Sequence, residues 1–123
     1  YVYVDDDPMR RYVVSSRGHN VIQIDGSEQG PQELESGAPL EGACAITDRF
    51  SVAFGAFANG FEDVAGHVVH RRAVAHVHGL GWIVADEIDT DRPRDIDARW
   101  HFHPDVAAVA QGLDVVSADK GVA

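Results

Sequence analysis

A chain of 123 residues with 45% hydrophobic content suffices for one core-forming domain and is too apolar for a disordered tail. Its formal net charge of -10 and pI near 4.9 argue against nucleic-acid and anionic-membrane partners, because phosphate binding needs a basic stripe and none is visible. The single cysteine, Cys44, excludes an internal disulfide, and its setting in the apolar run "GACAI" reads as a small buried hydrophobe.

No stretch approaches the roughly 20 apolar residues that span a bilayer, and no basic-then-apolar leader opens the chain. The first residue is Tyr1, and the sequence reads as a piece of a longer protein. Short β-type runs recur between glycine, proline and acidic clusters, without the sustained spacing of three and four that a helix requires. "YVYV" is a first strand, "DDDP" an acidic turn, "RRYVVSS" a second strand and "VIQI" a third, ended by the "DG" turn at Asp25 and Gly26. Residues 26–42, rich in Gly, Glu and Pro, form the longest loop.

"GACAI" and "RFSVAFGAFA" supply two further strands, the second weakened or bulged at Gly55, and "NGFED" makes a turn. The clearest hairpin runs out along "HVVHRRAVAHVH", turns at "GLG" and returns along "WIVADEI". On its first strand, Val69, Arg71, Ala73, Ala75 and Val77 share one face, and His70, Arg72, Val74, His76 and His78 the other. On the return strand Glu87 and Asp89 share a face and Asp86 takes the opposite one, so Arg71 and Arg72 have carboxylates across the hairpin. "IDARWHFHP" reads as another strand, and "VAAVA" and "LDVVS" as a last hairpin across "QG", with a helix over 104–111 as the alternative for the first of these. The resulting fold class is all-β, an antiparallel β-sandwich or part of a larger one.

Histidine is the conspicuous residue, with seven in the chain. His76 with His78, and His101 with His103, have the spacing that puts two imidazoles on one face of a strand. One reading is a cupin-like metal site, which needs further ligands on other strands. The other is surface or hydrogen-bonded histidines on a solvated sheet face. No glycine-rich phosphate loop, serine elbow or cysteine–histidine dyad is present.

The stretch "RRYVVSSRGHNVIQIDGSEQ" resembles the heparinase II/III-like family of polysaccharide lyases. The residues that carry the likeness are Arg10, Tyr12, Ser15, Ser16, His19, Asn20, Asp25, Gly26 and Gln29. "HRRAVAHVHGLGWIVADEI" is similar to the family's His-Arg-Arg strand and acidic return strand, and "WHFHP" to its aromatic-His-Phe-His segment. The blocks follow in family order over nearly the whole chain. The sequence departs from the pattern at Val21 and Ser16, where threonine is usual, and at Met9, a place often aromatic.

The resemblance implies that residues 1–123 are part of the C-terminal β-sandwich that follows an α-helical toroid in the family. It implies an activity of the longer protein, cleavage of uronate-containing glycans by β-elimination. A base removes the C5 proton, polar groups neutralise the carboxylate, and the leaving oxygen is protonated. On this reading the toroid carries the proton-transfer residues, none of which is assigned here, and the isolated piece is expected to be inactive. His19 matches a histidine that ligates a metal within the sandwich, zinc or another divalent ion, with the partner ligands expected upstream of Tyr1. One imidazole does not hold zinc, so the piece alone is expected to be metal-free. Arg10 and Arg17 are candidate substrate contacts, since guanidinium forks bind carboxylate and sulfate bidentately. The implied partners are an acidic polysaccharide and the toroid domain, with no nucleic acid or membrane. The implied location is the periplasm, the cell envelope or the exterior. The alternative is a carbohydrate-binding or structural sandwich without catalysis.

Overall fold

The computed structural model describes Val4 and residues 6–29, 43–58 and 60–117. The strands among them are all antiparallel wherever a register is defined, an all-β arrangement consistent with a β-sandwich. Two compact units divide the chain. One is formed by residues 22–97, the other by residues 1–21 with 98–123.

The larger unit is built on a four-stranded sheet of order β2-β3-β4-β5: β2 (Cys44–Ile46), β3 (Phe50–Phe57), β4 (Val68–Val77) and β5 (Gly81–Thr90). The β4–β5 hairpin pairs ten residues on each strand, from Val68↔Thr90 to Val77↔Gly81. Gly79 sits at φ 76° and Gly81 at φ 153°, conformations that cost a side-chain-bearing residue, which is why "GLG" turns here. The pairing of β3 with β4 runs without interruption through Gly55↔Arg72, so the bulge expected at Gly55 does not form. The glycine simply leaves an open spot on the sheet, with nothing within 4 Å of where a side chain would begin.

β1 (Ile22–Ile24) pairs with β6 (Ile96–Ala98). It ends as the sequence indicates, in a turn whose central residues Asp25 and Gly26 both have positive φ, 52° and 75°, with the Ser27 amide donating to the Ile24 carbonyl at 2.9 Å. Ile22, Ile24, Phe61 and Val68 form the buried core, flanked by Phe57, Val64 and Ile88. Phe57 meets Phe61 edge-to-face at 5.5 Å. This core covers one end of one sheet face, the end that carries His70. Among the described residues, Phe54 and Ile83 are exposed on the opposite face, and Ile46 and Trp82 at the far end of the face that carries His70.

The smaller unit contains α1 (Pro8–Val14), a single 3₁₀ turn (Ser16–Gly18) and the hairpin β7 (Ala108–Gln111) with β8 (Asp114–Ser117). α1 corrects the strand expected over "RRYVVSS". Asp7 accepts hydrogen bonds from the Met9 and Arg10 amides at 2.7 and 3.3 Å, and Pro8 occupies the first helical position, where its missing N–H costs nothing. That cap decides the segment against the β preference of Val13 and Val14. The "IDARWHFHP" strand is also corrected: pairing stops at Ala98, and His101 and His103 lie outside any strand. The last hairpin forms as expected around Gly112, at φ 67°, instead of a helix over 104–111. The strand expected for "YVYV" and most of the loop over 26–42 fall outside the described residues.

Candidate functional site

His19 follows the 3₁₀ turn, at its C-cap. Its backbone is extended, φ -130° and ψ 160°, and its amide donates to the Ser16 carbonyl at 3.2 Å. The ring is oriented by a second bond, from Nε2–H to the Val13 carbonyl at the end of α1, at 2.9 Å. This assigns the proton to Nε2 and leaves the Nδ1 lone pair as the nitrogen able to ligate, the division of labour that metal-bound histidines use. Asn20 completes the pair, its Oδ1 accepting the His101 amide at 2.6 Å, and the carbonyl of the next residue, Val21, accepts the Arg99 amide at 2.9 Å. Asn20 thus ties the segment after β6 to the segment before β1. Arg10 lies within α1 and Arg17 in the 3₁₀ turn two residues before His19. Gly18, between Arg17 and His19, is fixed by crowding: a Cβ there would come within 2.7 Å of the Tyr12 carbonyl oxygen and 3.3 Å of the Val13 Cα.

Among the described residues, no third His, Cys, Asp or Glu side chain joins either His-x-His pair in a metal-holding group. His76 stacks on Trp82 across the hairpin, ring centroids 4.4 Å apart and 18° from parallel. His78 lies in the turn beyond β4, where Nδ1–H donates to the Asp48 carbonyl at 3.0 Å and Nε2 accepts from the Ser51 hydroxyl at 3.2 Å. Both of its nitrogens are engaged. The Nδ1 of His103 accepts the Asp105 amide at 3.3 Å. Among the described residues no group of three His, Cys, Asp or Glu side chains is placed to hold a metal. Cys44, expected to be buried, is an exposed free thiol because β2 is a three-residue edge strand.

The larger unit contains a buried cluster that the sequence did not single out as a unit. His70 is buried at 6% exposure, opposite Phe57 on β3 and Ile88 on β5. Its Nε2–H donates to Asp86 Oδ1 at 2.7 Å. Arg72 grips the same carboxylate with both ends of its fork, Nε to Oδ1 at 2.6 Å and Nη2 to Oδ2 at 3.0 Å. The Arg72 guanidinium, and then the His70 ring, hold the Asp86 carboxyl below the usual carboxylate range against the opposing effect of desolvation. On the other face Arg71 meets Glu87 through one bond of 3.2 Å, with both side chains exposed. The cross-strand charge pairing read from the sequence is therefore present on both faces, half-buried on one and solvated on the other. What the sequence reading missed was the histidine's share, a diagonal contact that follows once the hairpin register is known.

A third polar cluster closes the "DG" turn. Arg94, with 5% of its side chain exposed, donates to Asp25 Oδ2 at 2.9 Å, Asp91 Oδ1 at 2.8 Å and the Ala65 carbonyl at 2.6 Å. These bonds lower the Asp25 and Asp91 carboxyl pKa values and raise that of Arg94. Asp25 Oδ1 also accepts the Asp95 amide, while the Asp25 amide donates to the Asp95 carbonyl at 2.9 Å. The aspartate of the Asp-Gly pair is thus a structural clasp on the segment leading into β6.

The antiparallel strands, with a His-Asn pair ahead of β1 and an Asp-Gly turn after it, form an all-β arrangement consistent with a β-sandwich module. Residues 1–122 match the family model described as heparinase II/III-like, C-terminal, and the chain belongs to that family. No curated protein and no solved structure matches it.

Proposed function

We propose that this chain is the β-sandwich part of a polysaccharide lyase that cleaves uronate-containing glycans by β-elimination, and that it works in the periplasm, in the cell envelope or outside the cell. In that role it supplies His19 as one ligand of a zinc or other divalent metal, and Arg10 and Arg17 as contacts to acidic groups of the glycan. The observation that carries the reading is the near-complete family match, which includes the His19–Asn20 pair and the Asp25–Gly26 turn. His19 suits the ligand role because its Nε2–H is committed to the Val13 carbonyl and its Nδ1 is left to coordinate. Bound there, the metal would cross-link the sandwich. On this reading the remaining ligands are supplied from upstream of Tyr1; among the described residues no group of three His, Cys, Asp or Glu side chains is placed to hold a metal.

The chemistry asks little of this unit directly. Removal of the C5 proton and departure of the C4 oxygen leave a C4=C5 double bond, and the developing charge on the uronate carboxylate needs cationic or hydrogen-bonding neighbours. Arginines serve that purpose with permanent charge and bidentate geometry.

The test is metal analysis and glycan cleavage in the full-length protein carrying His19→Ala. Loss of at least half of the bound zinc, with a lower Tm, is the expected result. An unchanged zinc stoichiometry removes His19 from the coordination shell. A full-length protein that binds acidic glycans and produces no unsaturated uronate ends overturns the lyase reading in favour of a binding module.

A further inference from the structure

We propose that Asp25–Gly26 is a latent isoaspartyl site, a peptide bond that rearranges spontaneously through a cyclic imide, and that the Arg94 clasp keeps it closed in the folded protein. The proposal concerns the turn itself and is independent of glycan cleavage.

The chemistry is intrinsic to the pair. The Gly26 amide nitrogen attacks Cγ of the protonated Asp25 carboxyl, an N–Cγ bond forms, and the proton of that nitrogen leaves with the carboxyl OH as water. The product is a five-membered succinimide. Water then adds at the main-chain carbonyl carbon of Asp25 and the C–N bond there breaks, so that the chain runs on through Cγ and the former main-chain carbonyl becomes a free carboxylate. Water is lost in the first step and regained in the second, and no oxidant or other co-reactant takes part. Glycine is the favourable successor because it has no side chain to crowd the attacking nitrogen.

The turn leaves the reacting atoms within reach of solvent while withholding their geometry. Asp25 and Gly26 are both exposed, and the bond that closes the turn is made by the Ser27 amide, not by that of Gly26. Ring closure needs the carboxyl swung toward the following amide, with nitrogen and Cγ in a near-attack arrangement. Both carboxylate oxygens are held elsewhere: Arg94 Nη1 donates to Oδ2 at 2.9 Å and the Asp95 amide to Oδ1 at 3.0 Å. The Asp25 amide, donating to the Asp95 carbonyl at 2.9 Å, fixes the backbone beneath them. Arg94 does not follow the turn if it moves, because its Nη2 is anchored to Asp91 Oδ1 at 2.8 Å and to the Ala65 carbonyl at 2.6 Å, and only 5% of its side chain is exposed. The same bonds favour the ionised carboxylate, whereas the reacting form is the protonated acid. Rearrangement is thereby confined to moments when the clasp opens. Its consequence is lasting, since a methylene inserted into the backbone at the end of β1 misaligns the paired bonds between Asp25 and Asp95.

The experiment ages the full-length protein at neutral pH, native and denatured in urea, beside native Arg94→Ala, Arg94→Lys and Asp86→Asn variants. Isomeric peptides containing residues 25 and 26 are separated by chromatography and identified by fragmentation, and thermal melts establish that each variant is folded. The native parent should rearrange at least about tenfold more slowly than the denatured parent, and Arg94→Ala at least about threefold faster than the native parent. Arg94→Lys, which keeps the charge and loses the fork, should fall between them. Asp86→Asn, which weakens the sheet without touching the clasp, should keep the parent rate. If Arg94→Ala does not fold, the comparison of Arg94→Lys with Asp86→Asn decides. Equal rates in the native and denatured parent, folded Arg94 variants at the parent rate, or an acceleration by Asp86→Asn as large as that by the Arg94 variants overturns the proposal.

Discussion

Replacing Asp86 by Asn is the sharpest probe of the buried cluster. The carboxylate accepts three bonds, from Arg72 Nε, Arg72 Nη2 and His70 Nε2, at 2.6, 3.0 and 2.7 Å. An amide of the same size supplies one acceptor and one donor. In either orientation its NH₂ group faces a donor, and the charge that balanced Arg72 is gone. Charge-assisted bonds contribute about 1.5–3 kcal/mol each in favourable settings. The Asp86 and Arg72 side chains are 19% and 20% exposed, so water recovers part of the loss, and about 2–3 kcal/mol in total is the expected destabilisation at pH 7. With an unfolding entropy of about 2.1 cal/mol/K per residue, 1 kcal/mol corresponds to roughly 4 °C in a chain of this length, so Tm should fall by about 8–12 °C. The pH dependence has a fixed sign. The Asp86 pKa is lowered in the folded protein, so its contribution is complete above the unfolded carboxylate value of about 3.9 and disappears as pH falls through the folded value. Thermal melts of wild type and Asp86→Asn should therefore differ most near neutrality and converge in strong acid. A difference below about 0.5 kcal/mol at pH 7, or one that persists undiminished at the acid end, refutes the assignment of stabilising charge to Asp86.

Two further outcomes follow from the same kind of reasoning. Arg94→Ala should return the Asp25 and Asp91 carboxyls toward the ordinary carboxylate range, so that their side-chain NMR titrations move to higher pH, because the Arg94 hydrogen bonds are the largest cause of both shifts; unmoved midpoints would contradict the clasp. Gly18→Ala should cost about 1–3 kcal/mol and displace His19, since the added methyl meets the backbone of Tyr12 and Val13, and NMR of the His19 ring would report a lost bond to the Val13 carbonyl.

Much of the fold is legible along the chain because β structure announces itself locally. Alternation and the "GLG" and "DG" turns locate β1, β4 and β5 to within a residue or two, and the hairpin register then follows, with Arg71 and Arg72 meeting Glu87 and Asp86. Two readings went wrong for identifiable reasons. Aromatic Tyr12 and β-branched Val13 and Val14 suggested a strand where the cap made by Asp7 and Pro8 had already specified a helix start. The "WHFHP" segment carries strand-like residues, yet pairing ends at Ala98, and the His101 amide is taken by a side chain, Asn20, from far along the sequence.

The family and the identity of His19 as the histidine of a His-Asn motif are properties of the sequence itself, because they rest on residue order alone. Which nitrogen of that ring stays available, what Asn20 holds, and why His70 shares a carboxylate with Arg72 are set only when distant segments meet. The physical reason is that hydrogen-bond partners are chosen by proximity in space. A string of residues fixes the donors and acceptors that exist, while packing of α1 against the 3₁₀ turn, and of β4 against β5, selects which of them are paired and which are left to bind something else.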